Sequence, residues 1–178
     1  SLPQKLAALL SFRPRALAPR VAIVEGLTDP TTGLMMGDTA ERVARQFGID
    51  RAAMDAFALA SHQRATAAAA QARFGREIAP IVPPPKFTGG LAADDGVRTE
   101  QTLAALAKLK PVFDKREGDV TVGNACQVTD GAVALLCMSV ARCKQLGLQP
   151  LAVVRGTASA GLSPGLMGLG PVHATPKA

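Results

Sequence analysis

A chain of 178 residues that is 48% hydrophobic and 19% charged is long enough to bury a core and does not read as a disordered polymer. Its net charge of +6 comes from 20 Lys and Arg spread among 14 Asp and Glu, and with six Phe and no Trp or Tyr it lacks stacking platforms for bases. Nucleic acid is therefore a poor partner, and the basic balance reads as a solvated face equally apt for a small polyphosphate ligand.

The opening residues Leu2, Leu6, Leu9 and Leu10 lie at helical spacing beside Lys5 and suit a partner surface. Arg13-Pro14-Arg15-Ala16-Leu17-Ala18-Pro19-Arg20 cannot continue that helix, because each Pro removes a donor and restricts its predecessor. It is an exposed loop, serving either assembly or simple connection. Ser1-Leu2-Pro3 resembles neither a signal nor a transit peptide, so the chain is expected to begin mid-protein, with its targeting unreadable.

Gly26 to Gly37 reads as a turn-rich strip that delivers Leu34, Met35 and Met36 to a helix start. Asp38 and Glu41 form a capping-box pattern, Ala40, Val43, Ala44 and Phe47 recur at i, i+3, i+4 and i+7, and Gly48 closes the helix. Asp50 caps a second, longer helix whose thin apolar stripe contains Met54, Phe57, Ala58, Ser61, Ala65, Ala68 and Ala69. His62 lies beside the stripe without a second ligand at metal spacing, so it carries no assigned chemistry and no metal site is expected. Pro80 through Pro85 break the pattern, and Phe87-Thr88-Gly89-Gly90 with Asp94-Asp95-Gly96 predict a loop or short hairpin. Arg98 leads into a helix of about ten residues, capped by Thr99, with Leu103, Leu106 and Ala107 inward and an end before Pro111.

The stretch from Asp119 to Leu136 reads as a strand at Val120-Thr121-Val122, a tight turn at Gly123, and a buried helix capped by Thr129 or Asp130. Such a turn would stand at a helix N-terminus, where unpaired N–H groups suit a thiolate, a carbonyl oxygen or a phosphate. The helix continues through Leu135, Leu136, Ser139, Val140 and Cys143 to Gly147, Pro150 stops it, and Leu151 to Thr157 follows as a strand, completing a βαβ unit.

Cys126, Cys137 and Cys143 form no C-x-x-C pair, no zinc spacing and no even disulfide set, which implies a reducing, cytoplasmic compartment. Cys137 and Cys143 read as small hydrophobes within the last helix. Cys126 is the best nucleophile in the chain if a helix begins just after it, yet no base accompanies it, since His62 and His173 stand in no recognisable cysteine-enzyme motif. No 18-residue apolar run occurs, so no transmembrane segment is expected.

Thr121-Val122-Gly123-Asn124-Ala125-Cys126, with Asp130-Gly131-Ala132 after it, is similar to the T-V-T-A-G-N-A-S-x-x-x-D-G-A segment of thiolases. The resemblance extends through Gly26-Leu27-Thr28-Asp29 and Met36-Gly37-Asp38-Thr39-Ala40-Glu41 upstream, and Met167-Gly168-Leu169-Gly170-Pro171-Val172 downstream. It implies an α/β chain in which residues 1–127 form a mostly helical, coenzyme-covering loop domain with oligomer contacts. Residues 128–178 would supply the closing helix and strand of the first α/β half and enter the second. The run from Leu106 to Phe113 and the terminal Ala-Thr-Pro-Lys look closest to the degradative, trifunctional-enzyme β-subunit-like branch.

By the same resemblance, Arg98, Phe113, Val122 and Cys126 contact coenzyme A, while Leu27, Met36 and Met167 wall the substrate pocket. Met35 departs from a His of biosynthetic thiolases, Ala105 from a Ser that bonds the cofactor, and Cys126 from a Ser that bonds the pantetheine. The substrates implied are acyl-CoA and CoA with no prosthetic group, and the implied assembly is a homo-oligomer, dimer or tetramer. Thiolase chemistry needs a nucleophilic Cys, a second Cys for the α-proton, and Asn and His segments for the enolate oxygen. The C-x-S-G, N-E-A-F, G-H-P and C-G-G-G motifs that carry them have no counterpart in the 178 residues, so no catalytic residue is assigned and the segment alone is expected to be inactive. A non-enzymatic CoA-binding or oligomerisation module and a cysteine-nucleophile enzyme using Cys126 are the alternatives.

Overall fold

The computed structural model describes residues 19–85 and 87–178; the leucine-spaced opening segment and most of the Arg13–Arg20 loop lie outside them. The first described helix, α1, spans Ala22–Leu27 and already contains Gly26 and Leu27, where a turn was expected. The turn follows it. Asp29 accepts the N–H groups of Thr31 at 3.2 Å and Thr32 at 3.0 Å, Gly33 adopts φ 70°, and Thr28 pairs with Met35 in an isolated antiparallel bridge.

Helix α2, Met36–Phe47, stops where its apolar spacing predicts, with Gly48 left-handed at φ 63° just past its end, but it starts ahead of Asp38 and takes in Met36. Its cap differs from the expected box. Met35 is the N-cap residue and Asp38 reaches back to accept the Met35 N–H at 2.8 Å, which leaves Glu41 free for a longer-range role. Helix α3, Arg51–Ala70, is capped by Asp50, whose carboxylate accepts the Ala53 N–H at 2.8 Å. Phe57, placed inward by the stripe, is 77% exposed, whereas Asp55 is buried. The inward face is thus set by polar partners at Arg51 and Asp55, a choice that hydrophobic periodicity does not register.

The Pro-rich connection, expected as a loop or short hairpin, is a loop closed by one isolated bridge, with Ile81 and Leu91 exchanging backbone bonds of 3.0 and 2.8 Å. Helix α4 is shorter than the ten residues predicted: it spans Leu103–Ala107, because Thr102 and not Thr99 provides the cap, accepting the Ala105 N–H at 3.1 Å. Leu106 is fully buried, while Leu103 is half exposed.

Two larger expectations are corrected. Val120–Val122 forms no strand; a single bridge, Pro111 with Thr121, and the Val112 N–H to Val120 carbonyl bond at 3.0 Å hold the segment. No helix follows the turn at Gly123. The only helix in this region, α5, spans Val140–Gln145 behind a Ser139 cap, with Gly147 at φ 64° beyond it. Val133, Leu135 and Leu136 are 87%, 82% and 83% exposed, and an apolar helix without a surface to cover it gains little over the coil. The expected strand from Leu151 to Thr157 is likewise unpaired: no described strand runs alongside it, and a lone strand has no ladder bonds to hold it. The βαβ unit is therefore absent among the described residues.

The chain ends in a 3-10 turn, Pro164–Leu169, helix α6, Gly170–Ala174, and a second 3-10 turn, Thr175–Lys177. The Pro164–Leu169 turn packs on α2, and α3 packs on α4. The buried centre is small and largely polar: Ala44, Leu106 and Val120 are joined there by Thr39, Glu41, Asp55 and Thr121. Among the described residues no helix is long and apolar enough to cross a membrane.

Candidate functional site

The turn at Thr121–Ala125 is built by its own polar side chains. Asn124 Oδ1 accepts the Thr121 N–H at 2.7 Å, the Thr121 hydroxyl accepts the Gly123 N–H at 3.1 Å, and the Thr121 carbonyl takes the N–H of Ala125 at 3.1 Å. Gly123 is required there by its neighbours. A Cβ on it would collide with the side chains of Leu109 and Leu106, the latter at 2.6 Å.

Two buried carboxylates fix this turn in space. Glu41, on α2, accepts the Val120 N–H at 2.9 Å and the Asp119 N–H at 3.1 Å with either oxygen. Asp55, on α3, accepts Asn124 Nδ2 at 3.0 Å and Arg51 Nε at 2.8 Å. Arg51 in turn donates to the carbonyls of Leu106 at 2.6 Å and Leu109 at 3.1 Å, satisfying the end of α4. Sequence reasoning missed Arg51, Asp55 and Asn124 as a set. The available signal was an Arg and an Asp at i, i+4 on the first turns of a helix, a spacing that also describes countless surface pairs.

Val122 is 70% exposed and Cys126 is exposed, so the turn presents both outward. Gln127 Nε2 donates to the Gly96 carbonyl at 2.7 Å, which brings the residues after Cys126 to the residues before Arg98. Arg98 lies in a shallow polar depression of about 310 Å³ formed by residues 97–101. Its backbone N–H donates to His62 Nδ1 at 3.2 Å, and among the described residues no carboxylate pairs with its guanidinium. Phe113 is half-buried, with its ring against Gly37 at the start of α2, where a Cβ would clash with three of the ring carbons. The adjoining Asp114 pairs with Arg45 of α2, and this hydrogen bond, followed by those from the Glu117 and Arg116 N–H groups, holds its carboxyl below the usual range.

An open groove of about 360 Å³ runs between α2 and the Pro164–Leu169 turn, lined by Met36, Val43, Ile49, Met54 and Met167 with almost no polar surface. Met36 and Met167 are thus brought together from distant parts of the chain. Leu27 is half-buried at the end of α1 and does not line this groove. Thioether walls of this kind adapt to acyl chains of varied shape.

Residues 12–141 match the family described as "Thiolase, N-terminal domain". The chain is 47% identical over 156 residues, 86% of its length, to an acetyl-CoA acetyltransferase of Chromobacterium violaceum. It is 46% identical over 146 residues, 81% of its length, to a 3-ketoacyl-CoA thiolase of Stutzerimonas stutzeri. It spans 40% and 37% of those proteins. The acetyl-CoA acetyltransferase of Bacillus anthracis superposes with a TM-score of 0.85 at 36% identity, covering 94% of this chain and 44% of that one. Human mitochondrial 3-ketoacyl-CoA thiolase in complex with CoA superposes with a TM-score of 0.82 at 36% identity, covering 93% and 43%.

Proposed function

The chain belongs to the thiolase family and has a thiolase-like α/β fold, and from this we propose that it binds coenzyme A thioesters within an acyl-transferring enzyme. That enzyme would cleave a 3-ketoacyl-CoA with CoA to acetyl-CoA and a shortened acyl-CoA, or run the reverse condensation. The observation that carries the reading is that Met36 and Met167, two of the three residues the resemblance gives to the substrate pocket, share one apolar groove, while Leu27 lies outside it. Arg98 would attract the phosphates of the nucleotide end, Phe113 would pack on its apolar surfaces, and Val122 and Cys126 would meet the pantetheine arm. Residues 1–127 act as the coenzyme-covering part, and residues 128–178 as the part that closes the first α/β half and enters the second.

Cys126 serves in this reading as a pocket wall. The case for a nucleophile rested on a helix starting just after it, and the next helix among the described residues begins at Val140. Covalent and proton-transfer chemistry belongs to motifs that these 178 residues do not contain.

Titration calorimetry of the 178-residue chain with CoA and with acetoacetyl-CoA tests the proposal. Binding of both without turnover is expected. No heat with either ligand, or thiolysis by the purified chain alone, overturns it.

A further inference from the structure

The residues assigned to the coenzyme lie on two separate stretches, 98–113 and 122–126, and each is tied to the same charged pair on α3. Asp55 is 4% exposed; one of its oxygens takes the Asn124 amide and the other takes Arg51 Nε. Asn124 uses its whole side chain, since Nδ2 also donates to the Asp119 carbonyl at 2.9 Å while Oδ1 accepts the Thr121 N–H. Arg51 uses Nη2 on the Leu106 and Leu109 carbonyls, midway between Arg98 and Phe113 in the chain.

We propose that Asp55 is a positioning residue for the coenzyme, holding through Arg51 and Asn124 the two stretches that would contact it in one mutual geometry. The inference rests on the coenzyme-binding reading above. Physically, a buried carboxylate whose hydrogen bonds are satisfied by a guanidinium and an amide is directional, and each partner has little freedom left. With the carboxylate gone, Arg51 and the Asn124 amide both lose a buried acceptor, and both stretches are released together. Asp55 touches no ligand in this account. It acts only through the backbone that Asn124 and Arg51 hold.

Asp55→Asn keeps the size of the side chain, removes the charge and replaces one acceptor oxygen by an NH2 that can accept from neither partner. One of the two ties must therefore break, and the other loses its charge assistance. CoA and pantetheine are titrated into wild type and variant at a temperature where circular dichroism shows both folded. Affinity for both ligands should fall about tenfold or more, the scale of a lost charge-assisted bond. A folded variant that binds pantetheine as tightly as wild type overturns the inference. A second readout does not depend on any ligand: alkylation of Cys126 by iodoacetamide, resolved by peptide mass spectrometry, with exposed Cys137 as internal reference. Asp55→Asn should change the Cys126 rate relative to Cys137 by about threefold or more, because it frees a turn 69 residues away. An unchanged ratio overturns the positioning role even if the wild-type chain binds no coenzyme, and in that case the missing binding refutes the coenzyme reading separately.

Discussion

Glu41 and Val120 are joined directly: the buried carboxylate on α2 accepts the Val120 N–H at 2.9 Å, and its two oxygens share the Asp119 N–H at 3.1 Å. A side chain here does the work of a neighbouring strand, satisfying backbone donors that would otherwise be buried without partners. Glu41→Ala should therefore lower unfolding free energy by about 2–4 kcal/mol, the cost of orphaned donors plus lost charge-assisted bonds. Glu41→Gln, which keeps one acceptor oxygen, should cost less. Urea denaturation checks both, and a shift too small to measure in the Ala variant would mean that water replaces the carboxylate at no cost.

Acid should weaken the fold through exposed carboxylates before buried ones are considered. Asp114 is held below its ordinary range by the hydrogen bond from Arg45, then by the Glu117 and Arg116 N–H groups. Asp29 is held low first by the Thr32 hydroxyl and then by the Thr31 N–H. A carboxyl depressed in the folded state contributes stability that is fully present above its unfolded value of about 4 and lost as pH falls through the lower folded value. Thermal midpoints should therefore decline below about pH 4. In Asp29→Asn/Asp114→Asn that decline should be shallower, and added salt should erode the Arg45 part. Parallel declines in wild type and variant would show that these two groups do not set the acid limb.

Gly37 and Phe113 make a steric prediction. With the ring occupying the space a Cβ would need, Gly37→Ala must displace Phe113 or lift the first turn of α2. Overpacking of this kind costs about 1–3 kcal/mol. Since Phe113 is proposed to pack on the coenzyme, CoA affinity should fall as well. Urea denaturation and calorimetric titration measure the two effects, and a variant with wild-type stability would mean the ring has free space to move into.

Local features of the chain were legible wherever a cap, a glycine and helical spacing agreed. Gly48 ends one helix and Asp50 caps the next, both as the sequence reads, and the Ile81–Leu91 closure follows from the Pro and Gly clusters around it. The strand at Leu151–Thr157 and the helix around Leu135 were read from apolar runs, and such runs say what a segment would do against a partner surface. Leu151 and Leu136 have no such surface among the described residues, so the pattern alone does not produce the element. The site shows the same division. Motif similarity names Met36, Met167 and Leu27, of which the first two share a groove, whereas Glu41, Asp55 and Asn124 act through contacts 69 to 79 residues apart that no local spacing encodes.

Arg98 gives the sharpest separation between a ligand contact and a structural one. Its guanidinium has no carboxylate partner among the described residues, and it is the backbone N–H, not the side chain, that bonds α3 through His62. Removing the side chain should therefore leave the thermal midpoint of the chain nearly unchanged. If the guanidinium meets the phosphates of coenzyme A, Arg98→Ala should weaken CoA binding about fivefold to thirtyfold, because one charge-assisted contact is lost from a site open to water and salt. Pantetheine, which lacks the nucleotide, should bind wild type and variant alike. The CoA defect should also shrink as ionic strength rises, since screening removes from wild type what the substitution removes from the variant. Equal losses on CoA and pantetheine would place Arg98 in the scaffold instead of the ligand site, and equal affinity for CoA would take it out of both.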